Sequence, residues 1–335
     1  MKRIVLTSAS YALKAFLFGL LGASIILLAG AIKFLNDKPD LQIWHTTHLD
    51  EEFTVDSGVE TFEAYLALEE RLFDQLNAQI YAVTDGASDP QIDRYSRSSL
   101  SDATSWDVNW NRTFELKTEA AQAGVLLLHG LTDSPYSLRV LGERLHEQGA
   151  YVIGLRIPGH GTVPAALTQT EWPDMAGAVR IAMFHLQQQV GEQPLYLVGY
   201  SNGAALGLRY ALETMEDASL PKVDAMAMMS PEIGITPMAR FAIWQERIGS
   251  FLRLSKLQWN SVLPEYDPYK YNSFPANAGM LAYDLTIANR KKLKVLSKRE
   301  QLGSFPSVLA FQSLVDATVS APDLVRDLFA LLPRA

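Results

Sequence analysis

Leu197-Val198-Gly199-Tyr200-Ser201-Asn202-Gly203 reads as the end of a strand, Leu195 to Gly199, that turns sharply at Ser201 and enters a helix from Gly203 to Met215. Glycines two positions either side of a serine remove the side chains that would collide where the backbone folds back on itself. The serine oxygen is then left projecting from a strained turn, as an acyl-transfer nucleophile requires. An incidental serine in a glycine-rich strand-to-helix turn would share the five-residue pattern. The apolar strand before it and the Ala/Leu-rich helix after it favour the nucleophile elbow.

Outward from the elbow, strands and helices alternate. Gly124 to His129 is a continuous apolar run, as in a strand buried on both faces. Ala150 to Leu155 and Lys222 to Ser230 are further strands, and Arg112 to Lys117 alternates like an edge strand. Helices are expected over Ser134 to Glu147 and Trp172 to Val190. This alternation implies a mostly parallel sheet covered by helices on both faces, with ligands at the carboxyl ends of the strands. After Pro231 the alternation stops for about seventy residues. Met238 to Lys256 and Ala278 to Leu296 read as helices flanking an aromatic loop, Pro264 to Pro275, and residues 232–304 are assigned as a cap. Ser307 to Phe311 resumes the strands, and Pro322 to Leu332 is a helix.

Three loops at strand ends carry chemistry. A tetrahedral oxyanion needs two backbone N–H donors already in place. Asn202, after the serine, supplies one, and Leu131 in His129-Gly130-Leu131-Thr132-Asp133-Ser134 supplies the other. Arg156-Ile157-Pro158-Gly159-His160-Gly161 forms a tight turn beside that pocket. Asp316, past the last strand, stands where a histidine-orienting carboxylate belongs. Asp267 and Asp284 are rival acids within the cap, and Asp133 is read as a helix cap.

These segments resemble the α/β-hydrolase superfamily, in particular its bacterial carboxylesterase, monoacylglycerol lipase and serine aminopeptidase-like (S33) branch. The resemblance rests on Leu127 to Ser137, Arg156 to Thr162 followed by Trp172, Gly199 to Gly203, and Val315-Asp316. It covers Trp110 to the C-terminus. It implies an α/β-hydrolase fold, Ser201 as nucleophile, Asp316 as acid, Leu131 and Asn202 as oxyanion donors, and hydrolysis of carboxylic esters without a cofactor. The motifs do not separate esterase from peptidase.

One departure stands out. The six histidines all precede Ser201, and the 19 residues after Asp316 contain none. The final strand and helix of that fold have no counterpart there either. A longer native chain, a histidine from elsewhere (His160 by its place at a strand end) and a non-catalytic binding or scaffolding module are the three readings left open. Without a base a serine hydroxyl is a poor nucleophile at neutral pH.

The 335 residues carry a net charge of -8, with no basic stripe interleaved with aromatics, which argues against nucleic acid as partner. With no cysteine, disulfides and thiolate metal sites are excluded. Ala15 to Ile32 is uncharged and apolar all round, and Tyr11 to Phe34 is long enough to cross a bilayer. Lys2, Arg3 and Lys14 precede it, so residues 1–10 are expected in the cytoplasm, 11–35 as an inner-membrane anchor, and the remainder in the periplasm or outside the cell. A cleaved signal peptide is the rival reading, since Leu28 to Ala31 contains small residues. Residues 36–109 are expected as a tether whose His45 and His48 read as solvated loop histidines, with a metal pair as the alternative, an amphipathic helix from Glu60 to Val83 with a solvated acidic face (Glu69, Glu70, Asp74), and a polar linker.

Overall fold

The computed structural model describes residues 14, 16–26, 29–30, 33, 36–84, 93–97, 99–234, 255–316 and 318–333. The chain divides into two compact units, Met1–Asp40 and Leu41–Ala335. In the first, residues 16–26 are helical, and Phe16, Phe18, Leu21 and Ile26 are exposed on all sides of the turn. Among the described residues no helix is long and apolar enough to cross a membrane. The expected cytoplasmic segment 1–10 and parts of the expected anchor lie outside the described residues, as do 86–92 of the expected linker and most of the first cap helix.

The second unit is built on a six-stranded sheet in the order β1-β3-β2-β4-β5-β8. The strands are β1 (Phe114–Leu116), β2 (Ala123–Leu128), β3 (Ala150–Leu155), β4 (Leu195–Tyr200), β5 (Ala225–Met229) and β8 (Ser307–Phe311). Only β1 runs antiparallel, on β3. The other neighbours are parallel, in a register that aligns Leu128 with Gly199 and Tyr200 with Met229 and Phe311. Beyond the sheet, β6 (Trp259–Ser261) and β7 (Phe274–Pro275) form a two-stranded ribbon.

The main helices are α1 (Phe62–Leu76), α2 (Arg139–Glu147), α3 (Trp172–Val190), α4 (Asn202–Thr214) and α5 (Ala276–Lys298). A short C-terminal turn follows, α6 (Ala321–Leu324), widening into the π-helical turn Val325–Phe329. One sheet face carries Leu126, Leu128, Ile153, Leu197, Met226 and Met228 and joins α3, α4 and α5 in the main core. Gly207 on α4 lets the helix close on Met226. The opposite face carries Val125, Leu127, Val152 and Val198, with Leu138, Leu141 and Leu145 packed there. Toward β8 that cover thins: Leu309 and Phe311 are 57% and 59% exposed, and Leu314 and Val315 in the following loop are 91% exposed.

Three expectations are corrected here. Residues 41–58 are no tether, because Trp44, Leu49 and Phe53 are buried against α1 and the core. The acidic face of α1 is only partly solvated: Glu70 and Asp74 are exposed, whereas Glu69 is 4% exposed and ion-paired to Arg156. The second cap helix, α5, contributes Leu281, Leu285, Leu293 and Leu296 to the main core, so it covers the sheet as well as bordering the strand ends.

Candidate active site

At the elbow, β4 meets α4 at Ser201, whose backbone lies at φ 53°, ψ −115°. For a residue with a Cβ this is a strained conformation costing on the order of 1–3 kcal/mol, which persists only where the surroundings over-determine it. They do so here. A Cβ on Gly199 would lie 2.5 Å from Ala204 Cα, and one on Gly203 would lie 2.1 Å from Leu128 O. The Ser201 N–H donates to Met229 O at 2.9 Å, and its carbonyl accepts from the amides of Ala204, Ala205 and Glu232. The serine is thus fixed by β2, β5 and its own helix.

The loop after β2 lies directly against the elbow. A Cβ on Gly130 would meet the Tyr200 ring at 2.9 Å and Ser201 Cβ at 3.5 Å. His129 is structural. Its Nε2 accepts the Ile157 N–H at 3.1 Å, so Nδ1 carries the proton and faces Gly130 O at 2.9 Å. Burial, reinforced by His160, holds its pKa well below the usual histidine value. Thr132 takes φ 64°, and its carbonyl accepts the Tyr271 N–H at 2.8 Å, tying the loop to the aromatic segment. Among the described residues, neither the Leu131 amide nor the Asn202 amide has an acceptor. The predicted nucleophile and both predicted oxyanion donors therefore stand at one end of the sheet, on adjoining loops.

The Arg156–Gly161 turn is clamped from the N-terminal side. Arg156, 1% exposed, pairs with Glu69 at 3.0 Å and Glu52 at 2.9 Å, and its Nη1 donates to His160 O at 3.0 Å. Tyr65 donates to the Arg156 carbonyl. Gly159 and Gly161 take φ of +85° and +76°, which only glycine adopts freely. Tyr271 accepts the Thr162 N–H at 2.8 Å and packs parallel to His160.

The sequence named His160 as a stand-in base. The side chain is fully buried, with Nδ1 against Pro158 O and Ile157 O and Nε2 without a partner. Burial depresses its pKa to about 4, so it is neutral at pH 7. Its ring neighbours are His129 and Tyr271, and its hydrogen bonds reach neither Ser201 nor Asp316.

Asp316 lies past β8, whose end is tied to the end of β5 by the Ser230 N–H donating to Phe311 O. Its Oδ1 accepts from the amides of Thr318 and Val319 and from the Thr318 hydroxyl, and these bonds hold its pKa at about 2. The group is an ionised acid engaged in a local turn, and no described histidine bonds it. Of the rival acids, Asp267 caps the Tyr269 and Lys270 amides and Asp284 is exposed. Asp133 Oδ1 accepts the adjacent Ser134 N–H at 2.9 Å, but the turn that follows begins at Pro135 with Ser134 as its N-cap, so Asp133 stands one residue before the cap position expected of it.

Two features escaped the sequence reading. His45 is buried, with Nε2 2.9 Å from Ser273 Oγ and its ring edge-on to Trp259, so it is no solvated loop residue. Its pKa is pushed down to about 4 by burial. Glu232 was not singled out, although Ser230-Pro231-Glu232 follows a strand end. Its carboxylate accepts from Asn202 Nδ2 at 3.0 Å, and burial raises its pKa to about 7. Among the described residues no group of three or more His, Asp or Glu could hold a metal ion.

Comparison with known proteins agrees with this geometry. The sequence model of the Abhydrolase_1 family, described as alpha/beta hydrolase fold, matches residues 125–283. A thermostable monoacylglycerol lipase from Bacillus sp. (strain H-257) is 31% identical over 137 residues, 40% of this chain and 54% of that protein. The chain thus matches about half the length of this curated relative. A solved structure described for LipS and LipT, two metagenome-derived lipolytic enzymes, superposes with a TM-score of 0.50 at 19% identity, covering 67% of this chain and 83% of that one. The Paleococcus ferrophilus monoacylglycerol lipase gives a TM-score of 0.46 at 20% identity, covering 66% and 84%. Over residues 125–283 the chain is thus similar to the alpha/beta hydrolase fold family, and over 137 residues to a monoacylglycerol lipase.

Proposed function

We propose that the protein is a serine hydrolase cleaving carboxylic esters of lipid type through an acyl-enzyme on Ser201. The observation that carries this reading is the strained Ser201 backbone pressed against the Gly130 loop, with the unclaimed Leu131 and Asn202 amides on either side. Attack by Ser201 Oγ on the ester carbonyl would place the oxyanion between those amides; the serine proton would pass to a general base that the described residues do not place beside Ser201 and from it to the departing alcohol, and water would then hydrolyse the acyl-enzyme to the free acid. Asp316, past β8, is the candidate acid for orienting that base, although its Oδ1 here accepts from Thr318 and Val319. The 31% identity to a monoacylglycerol lipase over 137 residues supports a monoacylglycerol-like acyl ester as substrate.

Attachment to the inner membrane through residues 11–35, with the hydrolase unit on the periplasmic or outer side, belongs to the same proposal. It is supported by the uncharged run Ala15 to Ile32 and by the exposure of its described apolar side chains. Fractionation of the full chain beside a variant lacking residues 1–35 tests it. Recovery of both in the soluble fraction would contradict it.

A second reading, a binding module that keeps the fold without turnover, is favoured by one observation. Asp316 is occupied by Thr318 and Val319 rather than by a histidine. Hydrolysis of a monoacylglycerol and of p-nitrophenyl esters by the full chain, beside Ser201→Ala, separates the two. The hydrolase reading expects a loss on the order of a thousandfold or more in Ser201→Ala. Equal background rates for the two would favour the binding module.

A further inference from the structure

Glu232 stands at a junction of three elements. Its backbone N–H donates to the Ser201 carbonyl at 3.3 Å, its carboxylate accepts from Asn202 Nδ2 at 3.0 Å, and its carbonyl accepts from Thr286 Oγ1 of α5 at 3.2 Å. Asn202 is 1% exposed, and its other amide atom, Oδ1, is buried without a partner. The Glu232 carboxylate is thus the hydrogen-bonding partner of the Asn202 side chain, and Asn202 carries one of the two oxyanion N–H donors.

We propose that Glu232 is a positioning residue for the Ser201 elbow, and that its charge gates the oxyanion site through Asn202. The proposal rests on the hydrolase reading above. A neutral Glu232 adds no negative charge beside Asn202. An ionised Glu232 fixes a negative charge against the same residue, opposing the second negative charge that develops there. Among the described residues, the region around Glu232 holds few other charges. From α5 it is lined by Thr286, Asn289, Leu293 and Arg290, the last ion-paired at 2.8 Å to Asp327 of the C-terminal turn. Asp327 is held below the usual carboxylate range by Arg326 and stays ionised across the neutral range. Asp323 packs on Gly234 and is paired to Arg326. From α4 the neighbours are Asn202 and Leu208. Among the described residues, no charged group hydrogen-bonds the Glu232 carboxylate.

The test is the rate of fluorophosphonate labelling of the full chain in detergent, from pH 5.5 to 8.5, for the wild type and Glu232→Gln. Glutamine keeps the shape and can still accept from Asn202, but it stays neutral. The expected ratio of variant to wild-type rate is near one at pH 5.5 and rises to roughly tenfold at pH 8.5. A purely structural role would give a ratio independent of pH, which overturns the gating. A second readout is the side-chain amide signal of Asn202 in protein carrying 15N-asparagine. It is expected to shift with a midpoint near pH 7 in the wild type and to stay still in Glu232→Gln. A pH-independent Asn202 signal in the wild type overturns the positioning role as well. A wild type that never labels but titrates at Asn202 overturns the hydrolase reading, and the gating with it, while upholding the Glu232–Asn202 linkage.

Discussion

Gly203 sits so close to the end of β2 that a Cβ added to it would stand 2.1 Å from the carbonyl oxygen of Leu128 and 2.4 Å from that of His129. Backbone cannot yield as a flexible side chain can, so the first turn of α4 would have to move. Gly203→Ala is therefore expected to cost about 3 kcal/mol of stability, at the upper end of overpacking penalties. It is also expected to displace Ser201 from its strained geometry. Urea denaturation measures the first effect. A variant as stable as the wild type would show that the elbow has more room than the geometry allows.

Arg156 and Glu69 form a buried ion pair at 3.0 Å that joins the N-terminal arm to the turn beside the site. Removing one partner of such a pair leaves an uncompensated charge, a loss typically of about 3–5 kcal/mol. Glu52 still faces Arg156, so Glu69→Gln is expected near the lower bound, about 3 kcal/mol, by the same denaturation measurement. Glu70→Gln, on the exposed side of α1, is expected to change stability by less than about 0.5 kcal/mol.

His45 and His160 are both buried with pKa values of about 4, against 6.5 when exposed. In the unfolded chain they take up protons as pH falls through 6.5, while in the folded chain they stay neutral until about 4. Folding stability is thus intact above pH 6.5 and declines as pH drops toward 4. The expected slope is about 1.4 kcal/mol per pH unit for each histidine. His45→Gln is expected to remove one histidine's share of that slope, read from denaturation curves at pH 7, 6 and 5. An unchanged slope would place His45 in a protonatable setting.

Leu314 and Val315 are almost wholly exposed beside the edge strand β8, whose own Leu309 and Phe311 are more than half exposed. Contiguous exposed apolar groups along an open strand edge promote association between chains. Replacing Leu314 and Val315 by serine is expected to slow aggregation at high concentration, as followed by light scattering. Because neither side chain is buried, the folding free energy should shift by less than about 0.5 kcal/mol.

The elbow was legible in the sequence because its requirements are local. Two glycines, a serine and the change from strand to helix pattern fall within nine residues, and steric necessity writes them into a short motif. The central strands were equally plain, since burial on both faces makes them continuous apolar runs. The environments of Glu69 and His45 were not legible. Glu69 meets Arg156 across 87 positions, and His45 meets Ser273 across 228. A helix pattern shows which residues are polar but not which polar residue finds a buried partner. Glu232 was missed for a related reason: a single acid after a strand end carries no periodic signal. Asp316 was named from its position after the last strand alone, and in the structure Thr318 and Val319 occupy its carboxylate.

The central claim is that Ser201 is an activated nucleophile, and fluorophosphonate labelling of the full chain tests it most directly. Such probes form an O–P bond with an activated serine as fluoride leaves. The account predicts labelling of the wild type at a single site and none in Ser201→Ala. A wild-type chain that is folded, by the cooperativity of its denaturation curve, yet remains unlabelled would contradict it.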